Sequence, residues 1–295
     1  MSALIGQHSV LHHMFADDTE LYSSRPPNDI HSLICAMQLC TTDVKKWTVF
    51  NKLQLNQEKT EVLLISSPRL DVSAFPDSVT IVDHVIRYSD SARNLGVMFD
   101  CNLSMNDHVN KVCQTCYFEI KNIAAIRHVL TFDATKRLIT SFVLSRLDYC
   151  NSLLFGAHQD LIDKLQKVMN AAARMICRSS RREHITPLLV ELHWLPVSSR
   201  IEYKIATMCY KVIVGTAPIY LADVLQVYTP SRSLRSAFDN RTFVKPKMRL
   251  KTQGERSFAF AGPVVWNRLP HDIRHAPSLS VFKARLKTHL FSLAY

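Results

Sequence analysis

The sequence predicts an α+β chain that is predominantly helical, and three observations carry that reading. In "DIHSLICAMQLCTTDVKKW", "NDHVNKVCQTCYFEIKNIAAI" and "DLIDKLQKVMNAAARMI", apolar residues recur at three- and four-residue steps, so each stretch gains one buried helical side. Short β-favouring runs cluster in the first hundred residues: "QHSVLHHM", "TELYSS", "EVLLIS", "VTIVDHVIRYS" and "RNLGVMFD". Only 6 of the 295 residues are glycine, against a usual share of about 7%, which argues against a turn-dense all-β fold. Neither GxGxxG nor GxxxxGK[ST] occurs, which excludes the glycine-rich phosphate cradles of dinucleotide and P-loop enzymes.

The elements follow in order. "QHSVLHHM", "FADD" and "TELYSS" read as strand, tight turn and strand. A helix starts at Asn28 or Asp29, either of which can cap it, and buries Ile30, Leu33, Ile34, Met37, Cys40, Val44 and Trp47. "EVLLIS" reads as a buried strand, and the next two runs as two or three more, with Gly96 at a close backbone approach. Then the texture turns helical. One helix buries Val109, Val112, Cys113, Cys116, Ile120 and Ile123 and turns Lys111 and Lys121 away. A second starts at a capping Asp133 and stops at Gly156, a third runs from Asp160 towards Arg182, and a fourth ends at Gly215. The stretch from 216 is irregular, with prolines at 218, 230, 246, 263 and 270. "GPVVWNRLPHDIR" is expected to bury Trp266 under a last helix that follows "APS" and aligns Leu279, Phe282, Leu286 and Leu290. The expected divisions are 1–101, 102–215 and 216–295.

Charge divides the chain as well. Its net charge is +11, but residues 1–100 carry 8 Lys/Arg against 12 Asp/Glu, and the remainder 28 against 13. An acidic front and a basic rear suit a front that holds cations and a rear that holds a polyanion. Eight cysteines without regular spacing do not make a disulfide framework. No signal peptide and no membrane-length apolar run is recognisable, so the expected location is intracellular, nucleus or cytoplasm.

The acidic pair Asp17–Asp18 sits at the turn of the first hairpin. Two carboxylates there can hold a hard divalent cation such as Mg²⁺, and paired ions stabilise the attacking and leaving oxygens of phosphoryl transfer. An isolated acid pair is ordinarily a solvated turn, but here the surroundings matter. "FADDTELY" resembles the catalytic hairpin of reverse transcriptases of the non-LTR (LINE-type) retrotransposon class. The resemblance continues in order through "VKKWTVFNKLQLNQEKTEVLLIS", "ARNLGVMFDCNLSMNDHV", "SRLDYCNSLLFG", "LQKVMNAAARMI", "ELHWLPV" and "WNRLP…SLSVFKARLKTHLF".

That resemblance implies a truncated palm sheet over 1–101, a helical thumb-like domain over 102–215 and a mixed C-terminal domain over 216–295. It implies catalytic roles for Asp17, Asp18 and Lys59: the two aspartates at a Mg²⁺ site and the lysine beside departing pyrophosphate. Phe15 takes the aromatic position of the turn, and Asn94, Leu95 and Gly96 resemble the part that touches the primer strand. Trp47, Asn51 and Asn56 read as packing residues. The family's polymerase also needs an earlier metal-binding aspartate and the fingers, and the sixteen residues before Asp17 contain no acid. The implied partners are an RNA template, an RNA–DNA hybrid or DNA primer, and a missing N-terminal polymerase part, with no membrane.

Independently of the resemblance, Lys164, Lys167, Arg174, Arg178, Arg181 and Arg182 fall within one helical arc opposite Leu161, Leu165, Val168, Met169, Ala172 and Ile176. Such a stripe suits phosphates. Cys113-x-x-Cys116 with nearby His108 raises a zinc reading, but both cysteines lie on an apolar helix face and read as buried small hydrophobes. The expected function is a C-terminal fragment of an RNA-directed DNA polymerase, inactive alone. The alternatives are a non-enzymatic nucleic-acid-binding remnant, a translated pseudogene, or a gene model clipped from an active protein.

Overall fold

The computed structural model describes residues 1–67, 70–71, 75–82, 84–229 and 241–295. Asp83 and Pro230, which the sequence reading touched, lie outside them. The chain is mixed α+β and mostly helical, and it divides into two compact units, Met1–Leu103 and Ser104–Tyr295. The division falls where the charge changes sign, since residues 101–103 are uncharged. No helix among the described residues is long and apolar enough to cross a membrane.

The first unit runs α1 (Ser2–Gly6), β1 (Leu11–Phe15), β2 (Asp18–Tyr22), α2 (Ile30–Phe50), β3 (Ser78–Ile81), β4 (His84–Arg87), β5 (Ser91–Asn94) and β6 (Val97–Asp100). Among the described residues its strands do not join into one sheet; they form three antiparallel pairs, β1–β2, β3–β4 and β5–β6. "EVLLIS" is not a strand: among the described residues its backbone finds only an isolated parallel bridge from Val62 to Tyr88 and a bond from the Ser66 N–H to the Cys101 carbonyl. Ile5 on α1, Val10, and Cys40 and Val44 on α2 form a small core, with Leu21 and Met37 against it. The apolar side expected of α2 is present. Its N-cap Asp29 makes no side-chain bond, since a 3₁₀ turn over Pro27–Asp29 leads into the helix instead. α1 had no sequence signal.

The second unit holds α3 (Asn106–Ile126), α4 (Phe132–Ile139), a π-helical turn (Thr140–Leu144), α5 (Ser145–Asp148), α6 (Gln159–Cys177), α7 (Ile185–Glu191), α8 (Val197–Ile213), α9 (Ile219–Ala222), α10 (Lys251–Gly254), α11 (Phe258–Asn267), α12 (His271–Arg274) and α13 (Leu279–Ala294). α6 lies at its centre, packed on α3, α4, α7 and α8. All six apolar residues expected on its inner side are buried. The second helix begins earlier than expected, because the Thr131 hydroxyl, not Asp133, accepts the Ala134 N–H. It also ends at Asp148, well before Gly156, after widening into the π turn.

The stretch after 216 is not set apart. α11 and α13 pack on α8, where Tyr210, Trp266 and Phe282 form an aromatic cluster and Tyr210 stacks on Phe282 at 4.4 Å. Trp266 is fully buried beside α13, as expected, and its indole N–H donates to the Arg241 carbonyl. Gly262 allows this approach, since a Cβ there would meet the Leu225 side chain at 3.0 Å and the Cys209 sulfur at 3.2 Å. Burying such side chains contributes about 1.5–3 kcal/mol each, and the second unit has far more of them than the first. Amide hydrogen exchange should therefore be slower in α6 and α8 than in β1, β2 and β5. Slower exchange in the hairpins would contradict this ordering.

Candidate functional site

The acidic turn is built by the β1–β2 register. Phe15 pairs with Asp18, leaving Ala16 and Asp17 as a two-residue loop. Ala16 has φ 55°; a positive φ at the first loop position matches the twist of two strands, although a residue with a Cβ pays about 1–2 kcal/mol for it. The result holds Asp17 at the tip and Asp18 at the head of β2, both exposed. Side chains alternate along a strand, so Leu11, His13 and Phe15 share a face with Tyr22, Glu20 and Asp18. Leu21, on the opposite face, packs on the core. Phe15 is 62% exposed, so the turn's aromatic position is open to solvent.

The turn brings Asp17 and Asp18 together and leaves Lys59 apart. Lys59 is exposed at the end of a 3₁₀ turn, Gln57–Lys59, and makes no hydrogen bond or ion pair with either carboxylate. Its neighbours Asn56 and Glu58, with Lys45, Thr48 and Leu53, line an open groove of about 670 Å³ at the end of α2. Of the residues read as packing, Trp47 is half-buried while Asn51 and Asn56 are exposed; the Asn51 amide donates to the Trp47 carbonyl at 2.8 Å and closes α2. Leu95 and Gly96 form the β5–β6 turn, with φ 43° and 88°, the both-positive geometry for which glycine is suited.

Two adjacent carboxylates match one hydrated Mg²⁺ that takes its remaining oxygens from water and phosphate. They fall short of what a two-ion centre needs, and among the described residues no group of three His, Cys, Asp or Glu is placed to hold a metal ion. Of the cysteine pair on α3, Cys116 is part of the core and Cys113 is half-buried. Cys116 is fully buried, its thiol donates to the Val143 carbonyl, and burial pushes its pKa up to about 12. Burial likewise raises Cys113 and lowers His108.

The basic stripe is shorter on the helix than the sequence suggested. Arg178 adopts φ 52° and ends α6, so Arg178, Arg181 and Arg182 lie on the turn that follows. Lys164, Lys167 and Arg174 are on α6 itself. The start of the helix also carries acids, Asp160 in the first turn and Asp163 in the next, the latter held by the Gln159 amide at 2.9 Å. Arg174 is committed to the fold: it donates to the carbonyls of Ser180 at 3.2 Å and Glu183 at 2.9 Å. In the same turn the Glu183 carboxylate accepts from the Ser179 hydroxyl and the Ser180 N–H, which hold its pKa below the usual glutamate value. Lys167, Arg181 and Arg182 are exposed, and among the described residues their side chains have no partner.

A cation that the sequence reading missed completes this end. Arg127, just past α3, donates to the carbonyls of Met175 at 3.1 Å and Ile176 at 2.9 Å, the last turn of α6, where positive charge suits the helix dipole. Its pKa is lowered, by burial first and then by the adjacent Arg178. At the other end Lys164 donates to Asn110 at 2.9 Å. The starts of α3 and α6 are therefore neighbours and so are their ends, and the two helices run parallel.

Comparison of the chain with known protein families, with characterised proteins and with solved structures gave no match. The cysteine assignment has a direct check. In the native protein a thiol reagent near pH 8 should label exposed Cys35 quickly and leave Cys40, Cys116 and Cys209 unmodified until denaturant is added. Fast native labelling of Cys116 would overturn its place in the core.

Proposed function

We propose that this chain is the C-terminal part of a non-LTR retrotransposon RNA-directed DNA polymerase: the rear of a palm, a thumb-like region and a C-terminal region. On this reading the 295 residues by themselves hold nucleic acid but do not polymerise. The observation that carries it is the exposed two-residue hairpin tip presenting Asp17 and Asp18, at the head of an ordered series of family-like strings. Polymerisation needs charge on the transferring phosphate neutralised by preorganised groups, commonly the largest catalytic contribution. The donor set at the hairpin is too small to supply it, and Lys59 is not brought alongside. Purified chain incubated with an RNA template, a DNA primer, deoxynucleotides and Mg²⁺ should give no extension product; incorporation at a rate set by Asp17 and Asp18 would refute the inactive part of the proposal.

A second reading, a non-enzymatic nucleic-acid-binding remnant, is favoured by the partition of charge. The unit from Ser104 onward has its own core and carries the whole cationic excess, 28 Lys/Arg against 13 Asp/Glu. Each phosphate contact releases counterions, so affinity for an RNA–DNA hybrid should fall steeply with salt. Reversing Lys167, Arg181 and Arg182 to Glu spares the bonds made by Arg174, Arg178 and Arg127, and should flatten the log–log salt slope by about one per residue. An unchanged slope would remove these three residues from the interface.

A further inference from the structure

The outer side of α3 has no role in the core and none in the proposal above. Lys111, Gln114, Phe118 and Lys121 recur along it at three- and four-residue steps, which places them in one line about 15 Å long. All four are exposed, Phe118 by 61%, and Tyr117 beside it by 45%. An exposed aromatic pair on a helix is a hydrophobic cost that folding does not recover. Its neighbours indicate what covers it. Lysines bracket the aromatics, whereas protein–protein interfaces are depleted in lysine. The Lys164 ammonium, held by Asn110, adds a cation at the start of the same face. Between Lys111 and Lys121 this line carries no carboxylate: Glu119 is on the far side, 3.6 Å from Arg146, and Asp107 stands one turn before Lys111, at the start of the line.

We propose that this face of α3 is a stacking platform for unpaired bases of single-stranded RNA or DNA, with Phe118 and Tyr117 carrying bases and Lys111, Lys121 and Lys164 facing the phosphates. The proposal rests on the nucleic-acid reading above and deepens it. Bases inside a duplex are already stacked on each other, so a duplex offers these rings nothing but backbone. Unpaired bases have free π-faces, and aromatic side chains between cations are the recurrent means of holding them without sequence preference.

The test compares fluorescence anisotropy of a labelled single strand of about 12 nucleotides with that of an RNA–DNA hybrid of equal length, both in dilute salt. The double variant Tyr117→Ala/Phe118→Ala should lose about tenfold or more in single-strand affinity, while its hybrid affinity changes by less than about twofold. Phe118→Trp should keep or strengthen single-strand binding, because the ring is retained, and this variant separates stacking from any loss of fold. Single-strand affinity unchanged in the double variant, with hybrid binding intact, overturns this inference alone. Failure of the unaltered protein to bind either probe overturns the nucleic-acid reading and this one with it. If the aromatic changes alter self-association in sedimentation but not nucleic-acid affinity, the face is a protein interface and the platform is wrong.

Discussion

The second unit depends on the burial of one side of α6. Eight of its residues are inaccessible or nearly so, and helices from both earlier and later in the chain pack on them. This requirement decides where charge can go. Lys164, Lys167 and Arg174 can be accommodated only on the remaining arc, because an unpaired ammonium or guanidinium among Leu165, Val168 and Met169 would carry a desolvation penalty larger than any single contact could repay. The cationic surface is therefore a by-product of core formation as much as a selected feature. Its polarity is kept by Arg127, which places a guanidinium on the carbonyl end of α6. Arg178 and the turn after it gather further positive charge there.

The first unit follows a different constraint. Its core is a handful of residues around Ile5 and Cys40, and its strands pair only in twos. Two-stranded ribbons are marginal unless a face is covered, so the β1–β2 hairpin relies on Leu21 against that core and on α1, whose Ser2 hydroxyl bonds to His12 at 2.6 Å. On its other face Leu11, Phe15 and Tyr22 remain 51–62% exposed. The strained Ala16 is tolerated because the paired strands on either side fix the loop length. That geometry keeps Asp17 and Asp18 side by side at the tip.

Much of this was legible in the sequence, and the limits have physical causes. Helical periodicity located the buried sides of α2, α3, α6 and α13 because burial imposes a 3.6-residue repeat on residue type. The acid pair was placed at a hairpin turn because the flanking alternation leaves no other position for it. Periodicity does not report termination by a residue other than glycine, so Arg178, Arg181 and Arg182 were read as helix when a left-handed Arg178 ends it. It also does not report contacts between distant elements. Arg127 bonds to carbonyls 48 and 49 residues away, and no local pattern marks it. "EVLLIS" has the composition of a strand but only one isolated bridge partner, and composition cannot supply a neighbour. Thr131 and Asp133 are both capping residues; the register of the first helical turn chose the threonine.

Opposite charges are thus carried by different units of one chain. The acidic turn belongs to the unit with the small core and net negative charge, and the cations belong to the unit with the large core. A polyanion approaching the first unit meets like charge unless a divalent ion intervenes, whereas the second unit attracts it without one. Attraction by the helical unit needs only charge density and falls off with salt. Phosphoryl transfer needs carboxylates and ions fixed within a fraction of an ångström. The first property survives the loss of almost any neighbouring segment, and the second does not. Charge-driven attraction of a polyanion is therefore sturdy and phosphoryl transfer fragile, because their geometric tolerances differ so widely.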